Sequence, residues 1–158
     1  MTYTFDKNKG VATGIALRNG NATRVRWAGQ TTNNTAKELF LDGDATSESR
    51  LFIPTGMVLV GEGHFVAYNV TDGTVFATGR FAVGLKNLAG TVSAEGTTLE
   101  WDAASVDANP FVQYFSGSSG FVWTYDNTNK ALVLTVTGTA AKVINWRAEI
   151  TQLITIRI

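Results

Sequence analysis

Residues 143–158 read Val143-Ile-Asn-Trp-Arg-Ala-Glu-Ile-Thr-Gln-Leu-Ile-Thr-Ile-Arg-Ile158. The even positions are Ile144, Trp146, Ala148, Ile150, Gln152, Ile154, Ile156 and Ile158. The odd positions are Val143, Asn145, Arg147, Glu149, Thr151, Leu153, Thr155 and Arg157. Seven of the eight even residues are apolar and six of the eight odd residues are polar or charged. A period of two sends the two sets to opposite faces of a β-strand. β-Branched and aromatic residues on the apolar side suit a pleated, half-buried surface. The stretch therefore predicts a strand with one dry face, which other strands must cover. At about 3.3 Å per residue it would span roughly 50 Å, far more than a common strand. The expectation is that it bends near Gln152, the one polar residue of the dry series, or that its end reaches a neighbouring chain.

The segments before it carry the same kind of signal. Leu132, Leu134 and Val136 share one face of Ala131–Thr137, and Phe121–Tyr125 precedes that segment across Asp126-Asn-Thr-Asn129. With Gly138–Ala141 as a second turn, the last third predicts a three-stranded antiparallel meander. His64–Val70 and Thr74–Val83 flank Thr71-Asp72-Gly73, a hairpin signal. Gly61-Glu62-Gly63 predicts a turn or a bulge. Lys37–Leu41 is a short strand closed by Asp42-Gly43, and Arg50–Ile53 is another, ended by Pro54. Thr91–Asp102 alternates weakly. Arg24–Ala28 predicts a first strand, with Val25 and Trp27 on one face and the arginines on the other.

No long segment shows a glycine-free helical period. The fold expected is all-β, an antiparallel β-sandwich or jelly roll of about ten short strands. Residues 22–158 are expected to form that single domain, and the polar residues 1–21 an extended N-terminal arm.

Composition narrows the chemistry. The 158 residues include 16 glycines, two prolines, no cysteine and one histidine. Thiol catalysis, disulfides and cysteine-ligated zinc are excluded, as is any site needing two imidazoles from one chain. The opening MTYTFDKNKG has no apolar leader, so no secretory signal is expected. No run approaches the roughly 18 apolar residues of a membrane helix, so no membrane partner is expected. The Asn-x-Thr triplets at Asn21, Asn33 and Asn69 are then expected to be incidental. Net charge is zero, which argues against a nucleic-acid partner. The charge is uneven, however: residues 1–30 carry a net +4, residues 31–130 a net −6 and residues 131–158 a net +2. A basic start made of Lys7, Lys9, Arg18, Arg24 and Arg26 on a neutral body suits docking on an acidic protein neighbour.

Candidate sites are few. His64 lacks any triad or metal context and reads as structural. Asp42-Gly-Asp-Ala-Thr-Ser-Glu48 is acidic but lacks the EF-hand spacing. Glu95, Glu100, Asp102 and Asp107 could supply a carboxylate pair for glycoside hydrolysis only if two of them face each other. Neither a metal nor another cofactor is expected, and no enzymatic activity. Phe111, Tyr114, Phe115, Phe121, Trp123 and Tyr125 are dense in one region. They suit a core between two sheets, and Tyr114, Trp123 and Tyr125 alternatively suit a sugar-binding or protein-contact surface.

Two stretches carry a resemblance. The first is Thr31-Thr-Asn-Asn-Thr-Ala-Lys-Glu-Leu-Phe-Leu-Asp-Gly43, followed by Arg50-Leu-Phe-Ile-Pro54. The second is Trp123 to Ile150, with Asp126, Asn129, Ala131-Leu132, Val136-Thr137-Gly138 and Trp146-x-Ala148-x-Ile150. Together they resemble a small β-domain of structural proteins of tailed bacteriophages. They cover about a third of the 158 residues and mark turns and strand faces, not catalytic groups. Gly61 to Ser119 departs from the pattern.

The resemblance implies a non-enzymatic virion protein. The expected role is a capsid cement or decoration protein on the capsid surface, binding the major capsid protein and its own copies, as a trimer. The alternative is a carbohydrate- or host-surface-binding module associated with a tail fibre or spike.

Overall fold

Alternation governs the molecule. In the computed structural model, which describes residues 24–41, 43, 50–101 and 120–158, nine strands are present among the described residues and every pairing is antiparallel. They are β1 (Val25–Thr31), β2 (Ala36–Leu41), β3 (Leu51–Phe52), β4 (Met57–Asn69), β5 (Thr74–Leu88), β6 (Thr91–Trp101), β7 (Phe121–Asp126), β8 (Ala131–Thr137) and β9 (Ile144–Arg157). The all-β expectation holds. The last strand is long as expected, with 14 residues, but β4 and β5 are long too, with 13 and 15 residues, where short strands were expected. The proposed arm, residues 1–21, lies outside the described residues.

The strand order is β3-β8-β2-β1-β9-β4-β5-β6, with β7 also paired to β8. β2 turns the corner of this curled sheet. Its residues Ala36–Leu39 pair with β8, while Phe40 and Leu41 pair with β1. One strand thus joins a large sheet, β1-β9-β4-β5-β6, to a small one, β7-β8 with β3. The inner faces pack on each other, as in a sandwich. Trp27 of β1, Phe65 of β4 and Phe81 of β5 meet Phe121 and Trp123 of β7, with ring centroids 4.3–5.8 Å apart. Leu39, Leu51, Ile53, Leu132, Leu134, Val136, Ile144 and Trp146 belong to the same core. Each such side chain stabilises the fold by about 1.5–3 kcal/mol. The indole N–H groups of Trp27 and Trp123 are buried without an acceptor among the described residues. Each costs about 1–3 kcal/mol, offset by the large ring area both bury.

The gap between β6 and the β7–β8 turn is closed by one side chain. Asn127 accepts from the Val92 N–H at 2.7 Å and donates to the Val92 C=O at 3.1 Å. Its amide stands in for a strand residue on that part of the β6 edge.

Two expectations are corrected, the C-terminal meander and the dry face of β9 beyond Gln152, and the bulge expected at Gly61-Glu62-Gly63 is found with its extra residue on the opposite strand. β9 does not pair with β8, so the last third is no meander. β8 pairs with β7, β2 and β3, and β9 lies between β1 and β4. The connection carries the chain from one sheet to the other at Gly138, where a Cβ would lie 2.3 Å from Thr31 Oγ1. That hydroxyl accepts the buried Trp146 indole N–H at 2.9 Å, so a side chain at 138 would displace a bond that anchors β9.

Gly61 and Gly63 sit inside continuous β4, and the extra residue of the irregularity is across from them. Glu62 pairs with Gln152 and Gly63 with Ile150, leaving Thr151 as a bulge in β9. A Cβ on Gly63 would lie 2.0 Å from the Glu149 carbonyl oxygen and 2.8 Å from the Phe81 ring. The glycine is required there by close approach, not by a turn.

The bulge also breaks the even-odd rule of β9. One extra residue exchanges the two faces. Ile144, Trp146, Ala148 and Ile150 are buried, then Leu153 is buried, while Ile154 and Ile156 are 40% and 55% exposed. β9 stays one strand, and what changes near Gln152 is its phase.

Candidate functional site

Two regions gather the polar and exposed groups. The first lies where β2, β3 and the β7–β8 turn meet. Arg50 grips Glu38 with two parallel bonds, Nε to Oε1 at 2.5 Å and Nη2 to Oε2 at 2.6 Å, and bonds Asp126 Oδ2 through Nη1 at 2.7 Å. Its guanidinium lies over the Phe40 ring, 5.7 Å from the centroid. The bond to Glu38 holds the Arg50 charge beyond the ordinary arginine range against the opposing effect of burial. Asp126 also caps its own turn, accepting from the Thr128 and Asn129 N–H groups and from Asn129 Nδ2. The Asn129 side chain is the main cause that lowers the Asp126 pKa, with those backbone donors and Arg50 adding to it.

Every ionic group in this cluster is answered by another. Its geometry fixes β2, β3 and the turn to each other and leaves nothing aimed at a ligand. None of the three residues stands out by composition. The signal was their place in the resembling stretches, at the start of Glu38-Leu-Phe-Leu, at the start of Arg50-Leu-Phe-Ile and in Asp126-Asn-Thr-Asn.

The second region is the outer face of the large sheet. The register lines up Arg26, Glu149, His64 and Arg80 across β1, β9, β4 and β5. Arg24, Arg26 and Arg147 all approach Glu149 at 3.7 Å. At that length, and with the arginines largely exposed, these pairs add little to stability. Three cations around one carboxylate leave a net positive belt. Beside it a shallow cleft of about 340 Å³ opens at the bulge, lined by Glu62, His64, Arg80, Ala82, Thr151 and Gln152.

Apolar residues flank the belt at both ends. Val60, Ile154 and Ile156 are exposed at one end, where Val60 pairs with Ile154 and Val58 with Ile156. Val66, Tyr68, Val70 and Val75 are exposed at the other, where Tyr68 pairs with Val75. Large apolar groups clustered at a rim of charge mark contact surfaces more often than isolated ones do.

The residues singled out from sequence fall apart in space. Arg24 and Arg26 belong to the basic belt, whereas Lys7, Lys9 and Arg18 lie outside the described residues. Trp123 packs on Trp27 and Phe81 in the core, and Tyr125 is 42% exposed on β7. Tyr114 is not among the described residues. Glu95 is held by Lys86 at 2.6 Å. Asp102, Asp107 and the Asp42, Asp44 and Glu48 carboxylates lie outside the described residues. Among the described residues no three metal-ligating side chains come together. Asn69 is buried and bonded to Asp72, so it offers no glycan site.

No protein-family model and no curated protein matches this sequence. A crystal structure of the Acinetobacter phage vB_ApiP_P1 tailspike protein is similar to 91% of this chain at 10% identity, with a TM-score of 0.30. The chain spans 24% of that tailspike's length.

Proposed function

We propose that this chain is a non-enzymatic structural protein of a bacteriophage virion, a capsid cement or decoration protein that works by surface contact. The observation that carries the reading is the outer face of the large sheet. There a basic belt of Arg24, Arg26 and Arg147 is flanked by exposed Val60, Ile154 and Ile156 on one side and by Val66, Tyr68 and Val75 on the other. The resemblance of the β2, β3 and β7–β9 segments to bacteriophage structural proteins supports the virion setting. A neutral shell subunit with an acidic surface is the partner whose chemistry fits the belt.

The test is decoration of undecorated heads by the full chain, read as occupancy by electron cryomicroscopy. Tyr68→Glu and Arg147→Glu, both on the outer face, are expected to lower occupancy at least about tenfold, since like charge and lost apolar contact both oppose docking. Heads that bind neither the native chain nor the variants would remove the capsid reading.

A second reading is favoured by the cleft at the bulge. Its volume lies at the low end of ligand-binding pockets, with polar groups from Glu62, His64, Arg80 and Gln152 converging on it. Under that reading the chain is a host-surface or carbohydrate-binding module of a tail fibre or spike. A glycan array probed with the full chain distinguishes the two: saturable binding lost in Arg80→Ala selects the second.

A further inference from the structure

The hydrogen-bond phase of β9 leaves one edge unspent. Val70 N–H donates to the Val143 C=O at 2.8 Å, and Ile158 N–H donates to the Gly56 C=O at 2.9 Å. Before the bulge, then, odd residues of β9 turn their backbone groups to β4, and after it even residues do. From Gln152 onward the odd residues Leu153, Thr155 and Arg157 turn theirs to the opposite edge. β1 reaches only as far as Ile150, which pairs with its first residue Val25. Three N–H and three C=O groups therefore face away from β4 with no strand beside them among the described residues.

Open edges normally carry a device against pairing. β6, the last strand of the large sheet, has one: Glu95 is an extra residue between the Gly84–Gly96 and Leu85–Ala94 pairs. The free stretch of β9 has neither lysine nor proline, its one charge is Arg157, and it shows isoleucines on its outer face. Arg18-Asn-Gly-Asn-Ala22, which precede β1 in the sequence, contain an Asn-Gly dipeptide and no β-branched residue.

We propose that the Leu153–Arg157 edge of β9 is a self-association site that pairs antiparallel with the same edge of a second copy about a two-fold axis at Thr155. The register is set by the edge itself. Thr155 is the midpoint of the three outward-turned residues, and sliding the partner toward the bulge drives it into β1 at Val25. In this register Leu153 faces Arg157 of the partner subunit, so the two arginines are kept apart. Ile154 faces Ile156 of the partner subunit in a pair without hydrogen bonds, the closer kind, at about 4.5 Å between Cα atoms. The apolar ends of two outer faces, each with Val60, then merge into one surface. The contact joins two large sheets into one and is independent of whether the chain decorates a head or serves a tail.

The chain has no cysteine, so one substitution reports the dyad. Full-length Thr155→Cys treated with a short bismaleimide is expected to give a crosslinked dimer in high yield. An H-bonded antiparallel pair holds the two Cβ atoms about 5.5 Å apart, too far for an unstrained disulfide but well within reach of that linker. Arg147→Cys, exposed but away from the edge, is expected to stay monomeric on the same gel. The native chain should sediment as a dimer at micromolar concentration. Ile154→Lys combined with Ile156→Lys should raise its dissociation constant at least about 100-fold with an unchanged far-UV spectrum.

Equal crosslinking of both cysteine variants overturns the proposal, and so does a trimer as the sole species. A monomer whose Leu153, Thr155 and Arg157 amides resist hydrogen exchange also overturns it, since the edge is then filled from within the same chain. A monomer whose amides become protected only when another virion protein is added overturns it in favour of that partner.

Discussion

The small sheet around β8 and the far end of the β4–β9 ribbon use the same residue types to opposite effect. At β8, Leu132, Leu134 and Val136 are buried, and the polar groups beside them are consumed internally by the Arg50, Glu38 and Asp126 cluster and by the Asn127 bridge to Val92. At the far end of β9, Ile154 and Ile156 are exposed, and three residues turn their backbone groups to an edge with no strand beside it among the described residues. The first region spends its interactions on folding. The second leaves its apolar side chains exposed. The difference lies in one inserted residue, Thr151, which turns the same apolar repeat inside out.

The largest effect that could break this contrast is a core truncation set against an edge truncation. Leu134→Ala is expected to cost about 2–5 kcal/mol in urea denaturation. Ile156→Ala should change the stability of the isolated chain by less than about 0.5 kcal/mol. Comparable losses would mean the far end is core and not exposed surface.

Next comes the site that permits the bulge. Gly63→Ala forces a Cβ against the Glu149 carbonyl and the Phe81 ring, and about 3 kcal/mol of destabilisation is expected. The exchange rate of the amides on both sides of Thr151 should rise with it. A silent Gly63→Ala would show that the close approach there is relaxed in solution.

Arg50→Ala leaves Glu38 and Asp126 without their shared cation and should cost about 2 kcal/mol. Arg50→Lys should recover only part of this, because one ammonium cannot reproduce the two-pronged grip on Glu38. Full recovery by lysine would make the cluster a matter of charge alone.

Asn127→Ala is expected to cost about 1 kcal/mol. Its sharper readout is local: the Val92 amide should lose protection from hydrogen exchange while the β4–β9 amides keep theirs.

The smallest effect is the pH dependence. Asp126 has its pKa lowered in the folded chain from an ordinary 3.8, chiefly by the Asn129 side chain. Its contribution is therefore fully present above that ordinary value and is lost as pH falls through the lowered one. Asn129→Ala should move the Asp126 titration upward in an NMR experiment and flatten the acid side of the stability curve. Asp72, lowered mainly by its bond to Lys142, should titrate as before in that variant.

Sequence by itself settled what alternation can settle. Val25 with Trp27, the Leu132, Leu134 and Val136 series, the Thr71–Gly73 hairpin and the buried half of β9 were all legible, because each follows from which face of a pleat a residue occupies. It also separated the chain from thiol and disulfide chemistry, through composition alone.

What needed the tertiary structure was everything set by the partner strand and not by the strand itself. The pairing of β9 with β1 and β4 is non-local, and turn chemistry at Gly138 says only that the chain turns, not toward which sheet. The Arg50 cluster joins residues far apart in sequence, each ordinary in its own segment. Gly61-Glu62-Gly63 signalled a bulge, but that its extra residue is Thr151 of β9 was hidden, because an extra residue is defined only against the register of its neighbour, β4. Once that neighbour is in place, the apolar repeat that predicted a buried face becomes, for Ile154 and Ile156, an exposed one.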